Sequence, residues 1–216
     1  MAGREVADAV QPERFSFDAE SEAAIEREIA KYPAGKQASA VIALLYIVQD
    51  QMRRQGGSRW VPRVAMDVVA ARLGMPPIRV YEVATFYLMF NITPIGKWHL
   101  QVCTTTPCWL RGSDAVTETC RRLTGIQGWG ETSQDGLFTM TDVECLGACV
   151  NAPILQVNDD FYEDMDPART ESLLAALRLG EQPRPGSMAE RQTSAPEGGP
   201  TTLTTLQDLG PPPPEA

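Results

Sequence analysis

Apolar positions along the first half of the chain recur at three- and four-residue steps, the period of helices that bury one face. Ile25 and Ile29 lie four apart behind Asp18, a residue suited to cap a helix start, and the segment is expected to stop at Tyr32 because Pro33 and Gly35 follow. Val41, Leu44, Leu45, Val48 and Met52 form a wide stripe on a second helix ending at Gly56-Gly57. A third begins near Pro62 and ends at Gly74, with Val64, Val68 and Ala71 on one face. Pro76-Pro77 then breaks the chain before a fourth helix, Ile78 to about Phe90, which is apolar around most of its circumference through Val80, Val83, Phe86, Tyr87, Met89 and Phe90. An all-round apolar helix suits a core, and this one leaves room for a partner contact.

From Trp98 the period changes. Trp98 to Val102 alternates as a strand does, Ser113 to Leu123 reads as a helix closed by Gly125, and Phe138 to Val143 and Ile154 to Val157 read as strands. Asn158-Asp159-Asp160 is a turn signal, and Asp166-Pro167 opens a last helix through Leu173, Leu174 and Leu177. The pattern divides the chain into a flexible start (1–17), a helical bundle (18–96), a compact α/β layer unit (97–180) and a tail (181–216), an α+β chain as a whole. The tail has no aromatic residue and ends in Pro211 to Pro214, so it is expected to be disordered.

Composition narrows the function classes. Of 216 residues, 43% are hydrophobic and 22% charged, as in a globular protein, and the net charge of −9 argues against a basic nucleic-acid or anionic-lipid surface. The longest apolar stretch, Ala38 to Val48, is too short to span a bilayer, so no direct membrane insertion is expected. Glu5, Asp8 and Glu13 argue against a secretory signal or a mitochondrial presequence. The expectation is a bacterial-type cytoplasm, with a processed organelle protein as the alternative. In such a reducing compartment, clustered cysteines serve metals or redox chemistry rather than structural disulfides.

Five cysteines occur, four of them in close pairs. Cys103-Thr-Thr-Thr-Pro-Cys108 follows the first strand, and Cys145-Leu-Gly-Ala-Cys149 follows the second. Two short loops at strand ends can meet at the rim of one α/β layer. Four soft thiolates select an iron–sulfur cluster or zinc. The loops favour the cluster, since Gly147 and Ala148 let backbone amides approach sulfur and Thr104 to Thr106 offer hydroxyls and amides. Donors of that kind suit a doubly negative cluster that gains one more charge on reduction. A four-cysteine zinc staple holding an interaction module, usually built on C-x2-C pairs, is the rival of another class, and a thiol–disulfide enzyme, which expects C-x-x-C, is a third. His99 is the one histidine, which excludes a Rieske site and leaves it an ordinary structural role. Cys120, mid-helix among apolar residues, reads as core. Gly56-Gly57 and Gly198-Gly199 lack the strand–loop–helix setting of a nucleotide cradle, and no catalytic Ser–His–Asp or Cys–His pairing is evident.

With these motifs the chain resembles the thioredoxin-like [2Fe–2S] subunit of respiratory complex I, the NADH:quinone oxidoreductase. The likeness runs from about Phe15 to Leu179 and takes in C-T-T-T-P-C, a gap of 36 residues and C-L-G-A-C, with Val83 to Asn91, Asn151-Ala-Pro153 and Asn158 to Asp164 agreeing as well. The resemblance implies a helical amino-terminal domain followed by a thioredoxin-like domain, and one [2Fe–2S] cluster ligated by Cys103, Cys108, Cys145 and Cys149, two per iron. It further implies a flavoprotein partner carrying FMN and NADH, with the cluster as a one-electron side acceptor near the flavin. A place in a peripheral arm on the cytoplasmic face of the inner membrane follows from the same likeness. The same scaffold serves NAD-linked formate dehydrogenases and NAD-reducing hydrogenases; the full helical domain and the A-T-F-Y-L-M-F-N segment favour complex I. No role for the tail follows from it.

Overall fold

The computed structural model describes residues 11–196 and Gly198. They fall into two compact units, one made of residues 11–98 with 132–139, the other of 99–131 with the described residues from 140 onward.

The first unit is built on four helices: α1 (Ala19–Ala30), α2 (Val41–Gly56), α3 (Arg63–Leu73) and α4 (Pro77–Phe86). Asp18 caps α1 by accepting the Ser21 N–H at 2.8 Å. Gly57 and Gly74 close α2 and α3 in the left-handed conformation that glycine adopts without a Cβ penalty. Ile25, Leu44, Leu45, Val48, Met66, Val69, Val80 and Phe90 form the shared core.

Three expectations need correction. The face of α3 that packs inward is Ala65, Met66, Val69, Ala70 and Leu73, whereas Val64 and Val68 lie at its edge and Ala71 is exposed. The continuous three–four stripe wins over the β-branched pair. Helix α4 ends at Phe86 rather than near Phe90, because Gln49 offers the chain beyond it other partners: its side chain donates to Met89 C=O at 3.2 Å and accepts the Asn91 N–H at 2.8 Å. The backbone turns there and Phe90 enters the core, while Phe86 is left 77% exposed. Residues 11–17, expected to be flexible, are tied down: Gln11 accepts the Arg63 N–H, Ser16 C=O accepts from Gln51, and Phe15 and Phe17 pack edge to face against one another. Residues 1–10 lie outside the described ones.

The sheet has the order β2-β3-β1-β4-β5-β6, with β1 Trp98–Cys103, β2 Glu131–Thr132, β3 Phe138–Val143, β4 Leu155–Val157, β5 Asp160–Glu163 and β6 Gly186–Ser187. The Trp98 N–H donates to Leu137 C=O and the Thr104 N–H to Val143 C=O, so β1 and β3 run the same way. β1 and β4 are antiparallel in the register Val102 to Leu155, as are β4 and β5 across the turn at Asn158. β1 is buried at every position but Gln101 instead of alternating, as a strand with neighbours on both sides and covered faces should be. Gly96 is required by close approach: a Cβ there would meet the Leu137 and Phe138 backbone at 2.9 Å.

In the second unit, α5 (Thr106–Leu110) follows β1 directly, α6 (Ser113–Thr124) ends at left-handed Gly125, and α7 (Pro167–Arg178) is capped by Asp166, which accepts the Arg169 N–H at 2.7 Å. α6 and α7 pack on one another, helped by the Arg122–Glu171 ion pair. Cys120 is fully buried on α6. His99 is buried, its Nε2 2.9 Å from Thr141 Oγ1.

The tail, expected to be disordered from Glu181, is ordered as far as the described residues reach. β6 pairs in parallel with β5, the Tyr162 hydroxyl donates to Pro183 C=O, and Arg191 is ion-paired with Asp164. These polar contacts supply what its composition lacks in apolar surface. Residue 197 and residues 199–216 lie outside the described ones.

Candidate metal centre

Each cysteine of the two pairs is placed by a short element. Cys103 is the last residue of β1, its N–H donating to Ile154 C=O at 3.2 Å. Cys108 lies in α5, which opens on Thr106 with Pro107 in its first turn, so the C-x4-C segment is a strand end turning into a single helical turn rather than a loop. Cys145 follows β3 by two residues, and Cys149 starts a 3-10 turn, Cys149–Asn151. Between them Gly147 takes φ +83°, a conformation glycine reaches without strain.

All five cysteines are free thiols. Cys145 Sγ and Cys149 Sγ stand 3.2 Å apart. Cys103 and Cys108 are close enough to shift one another's proton affinity, and Cys103 Sγ lies 3.3 Å from Thr105 Oγ1. The pairs are also within electrostatic reach of one another: charge on Cys103 raises both Cys145 and Cys149, and charge on Cys149 raises Cys108. The structure thus sets Cys103 beside Cys108 and Cys145 beside Cys149, in the same unit, while Cys120 lies on α6 outside the apolar cluster around Cys103 and Cys108.

The proton affinities show what surrounds each sulfur. Burial pushes the Cys103 thiol up, yet the Thr105 hydroxyl and amide, Cys108 and the Leu146 amide together bring it below the ordinary thiol value. Cys108 is pushed up to about 12, first by burial and then by the neighbouring Cys103 thiol, against the Ile154 amide. Cys145 is lowered, by its bond to Cys149 and then by the Gly147 amide. Cys149 is raised, by the same bond and then by burial. Of the donors expected at sulfur, Gly147 and Thr105 each act on one, whereas the Thr104 N–H donates to Val143 C=O instead. The Leu146 and Ile154 amides were not foreseen, because backbone donors carry no residue signature.

This donor set fits a [2Fe–2S] cluster. Such a cluster asks for two thiolates at each iron, whereas structural zinc asks for four ligands around one point. The sulfurs stand in two pairs, Cys145 beside Cys149 and Cys103 beside Cys108, which suits two thiolates at each iron. Ala152, Ile154, Val143, Leu146, Ala148 and Phe161 pack around Cys103 and Cys108, a dry setting that strengthens each amide–sulfur bond.

Comparison with known proteins agrees. The family model of the thioredoxin-like [2Fe-2S] ferredoxins matches residues 25–178, which include all four cysteines. An NADH-quinone oxidoreductase subunit of Rickettsia bellii (strain RML369-C) is 50% identical over 164 residues, covering 76% of this chain and 95% of that protein. The mitochondrial NADH dehydrogenase [ubiquinone] flavoprotein 2 of Dictyostelium discoideum is 47% identical over 189 residues, 88% of this chain and 74% of that one. Among solved structures, an NAD+-reducing [NiFe]-hydrogenase in the air-oxidized state shares the fold with a TM-score of 0.54 at 19% identity. That match covers 65% of this chain and 23% of the hydrogenase chain. No helix among the described residues is long and apolar enough to cross a membrane. With the family model spanning most of its length, its paired cysteines inside the matched stretch and about half of the aligned residues shared with these relatives, the chain belongs to the thioredoxin-like [2Fe-2S] ferredoxin family.

Proposed function

We propose that the chain is the [2Fe–2S] electron-transfer subunit of an NADH:quinone oxidoreductase, with Cys103, Cys108, Cys145 and Cys149 as the cluster ligands. The carrying observation is the approach of those four thiols in two pairs, in a chain half identical to proteins named for that role over nearly their full length. Bound there, the cluster supplies one-electron acceptance and donation, so the chain acts as a carrier within an oxidoreductase and carries no substrate site of its own.

The chain's residues do the rest. Cys103 and Cys108 hold the cluster from the end of β1 and from α5, on the side where the protein excludes water. Thr105 and the Leu146, Ile154 and Gly147 amides offset negative charge on sulfur. Cys145 and Cys149 leave the other side accessible. Exposed Trp109, Leu110 and Val150, next in sequence to ligands of both pairs, suit contact with a partner. We assign that partner as the flavoprotein subunit carrying FMN and NADH, in a peripheral arm on the cytoplasmic side of the membrane.

The test is isolation of the native complex with this chain as bait, followed by anaerobic addition of NADH. The expected result is a flavoprotein and quinone-reductase subunits in the complex, with a reduced-cluster EPR signal lost in the Cys103→Ser variant. A molybdenum or nickel–iron subunit in their place would assign the chain instead to an NAD-linked formate dehydrogenase or hydrogenase.

A further inference from the structure

The segment after α7 returns to the cluster side of its unit. β6 lies beside β5 with Tyr162 opposite Gly186 and Glu163 opposite Ser187, and the Met188 N–H donates to Glu163 C=O. Beyond it, the Arg191 guanidinium is enclosed, 12% exposed, as is its partner Asp164. Nε donates to Asp164 at 2.9 Å and Nη2 at 2.7 Å, a two-point grip on one carboxylate that also accepts from Ser187 Oγ at 2.6 Å. The same Nη2 reaches Val150 C=O at 3.3 Å and the Asn151 side-chain oxygen. Nη1 donates to Ala195 C=O at 3.0 Å, closing the strap on itself. Asn151 answers from the other side, its Nδ2 donating to Thr193 C=O at 2.8 Å and to Glu163 at 2.5 Å.

Val150 and Asn151 are the two residues after Cys149, in the 3-10 turn that this ligand opens. The turn leaves Cys149 half-buried, while Asn151 within it is buried and its C=O accepts the Asp164 N–H at 2.7 Å, so the strap's contacts add to a backbone anchor on the same turn. Between the strap and the turn lies an open cleft of about 960 Å³ lined by Ala148, Val150, Glu163, Arg184, Met188 and Thr193. The connection across it is therefore made by polar side chains rather than by a packed apolar layer. A planar fork with five donors can grip a carboxylate and three further acceptors at once, whereas a lysine ammonium has three donors in all and no fork to match the carboxylate.

We infer that Arg191 is a positioning residue for the ligand Cys149: the strap at 186–195, outside the stretch matched by the family model, locks the Cys149–Asn151 turn and so governs how firmly the cluster is kept. This rests on the ligand assignment proposed above. Residues that orient metal ligands through hydrogen bonds typically change metal retention about 10- to 100-fold when removed.

The experiment uses the full chain, isolated anaerobically with its cluster, as wild type, Arg191→Gln, Arg191→Lys and, as a control, Arg122→Ala. The control removes an exposed ion pair with Glu171 in the same unit that touches neither strap nor ligand turn. Iron release to a chelator and the reduced-state EPR line shape are read alongside hydrogen exchange over residues 148–152. Arg191→Gln is expected to release iron about ten-fold faster, to alter the EPR line shape and to lose amide protection over 148–152. Arg191→Lys recovers only part of each, and Arg122→Ala matches wild type. Wild-type iron release and EPR line shape in Arg191→Gln, whatever its melting temperature, overturn the inference by making the strap a purely structural staple. Where Arg191→Gln does not accumulate, Arg191→Lys decides: values equal to wild type overturn it. Should the wild-type chain hold no iron, the ligand assignment falls by itself, and unchanged hydrogen exchange in the Arg191 variants separately overturns the lock.

Discussion

The two cysteine pairs are alike in sequence and opposite in setting. Cys103 and Cys108 are 1% and 0% exposed, rooted in the end of β1 and in α5 and packed against Ala152 and Ile154. Cys145 is exposed and Cys149 half-buried, on a loop whose shape depends on a left-handed glycine and on polar contacts from the strap. The same thiol thus serves two purposes. The inner pair belongs to the hydrophobic core, and in the function proposed above the outer pair would form the accessible rim by which the carrier meets its partner. A cluster held this way is screened from water on one side and reachable on the other.

The comparison breaks first if the inner pair is expendable. Cys108→Ser leaves a hydroxyl in a dry site where burial already disfavours any charge, an added cost of about 1–3 kcal/mol on top of the lost iron ligand. The expected outcome is full loss of iron and sulfide and a lower melting temperature, measured by metal analysis and thermal unfolding. Cys149→Ser, on the accessible side, is expected to alter the visible and EPR spectra and to leave the melting temperature of the cluster-free chain unchanged. Next in size is Gly147→Ala, which forces a side chain into φ +83° at about 1–2 kcal/mol and displaces the amide that donates to Cys145. Its signature is a changed EPR line shape with the iron retained.

Two smaller effects sharpen the contrast between cluster and scaffold. Asp166→Ala removes the cap of α7 and should cost about 1 kcal/mol in thermal unfolding without touching the spectrum. Cys120, buried in α6, has its thiol pushed up to about 12 by desolvation from an ordinary value of 9.0. A proton held more tightly in the folded chain contributes stability in full below about pH 9, and less and less as pH rises towards 12. Cys120→Ala should therefore keep the cluster spectrum and lose less stability than wild type between about pH 8 and about pH 10.5, followed by denaturant melts.

Much of this was legible in the residues. Helix ends are written in local chemistry, so Asp18, Gly57, Gly74, Gly125 and Asp166 mark the observed boundaries. The paired cysteines stood out because close thiol spacing has few other uses. What escaped depends on partners distant in sequence. The end of α4 is decided by Gln49, some 40 residues earlier, and a buried glutamine looks like any polar helix residue. Which cysteine pair lies inside follows from the packing of Ala152 and Ile154, which spacing does not encode. The order of the strap comes from Arg191 meeting Asp164 and Asn151 across 27 and 40 positions, in a stretch whose composition argues for disorder.

The central claim is that these four thiols, brought together two by two, hold one binuclear cluster. Iron and acid-labile sulfide analysis of the anaerobically purified full chain, joined to EPR after reduction, tests it most directly. The account predicts two irons and two sulfides per chain, as in the family to which it belongs, with a reduced-state signal from one unpaired electron. A colourless protein loaded with zinc and free of sulfide would contradict it.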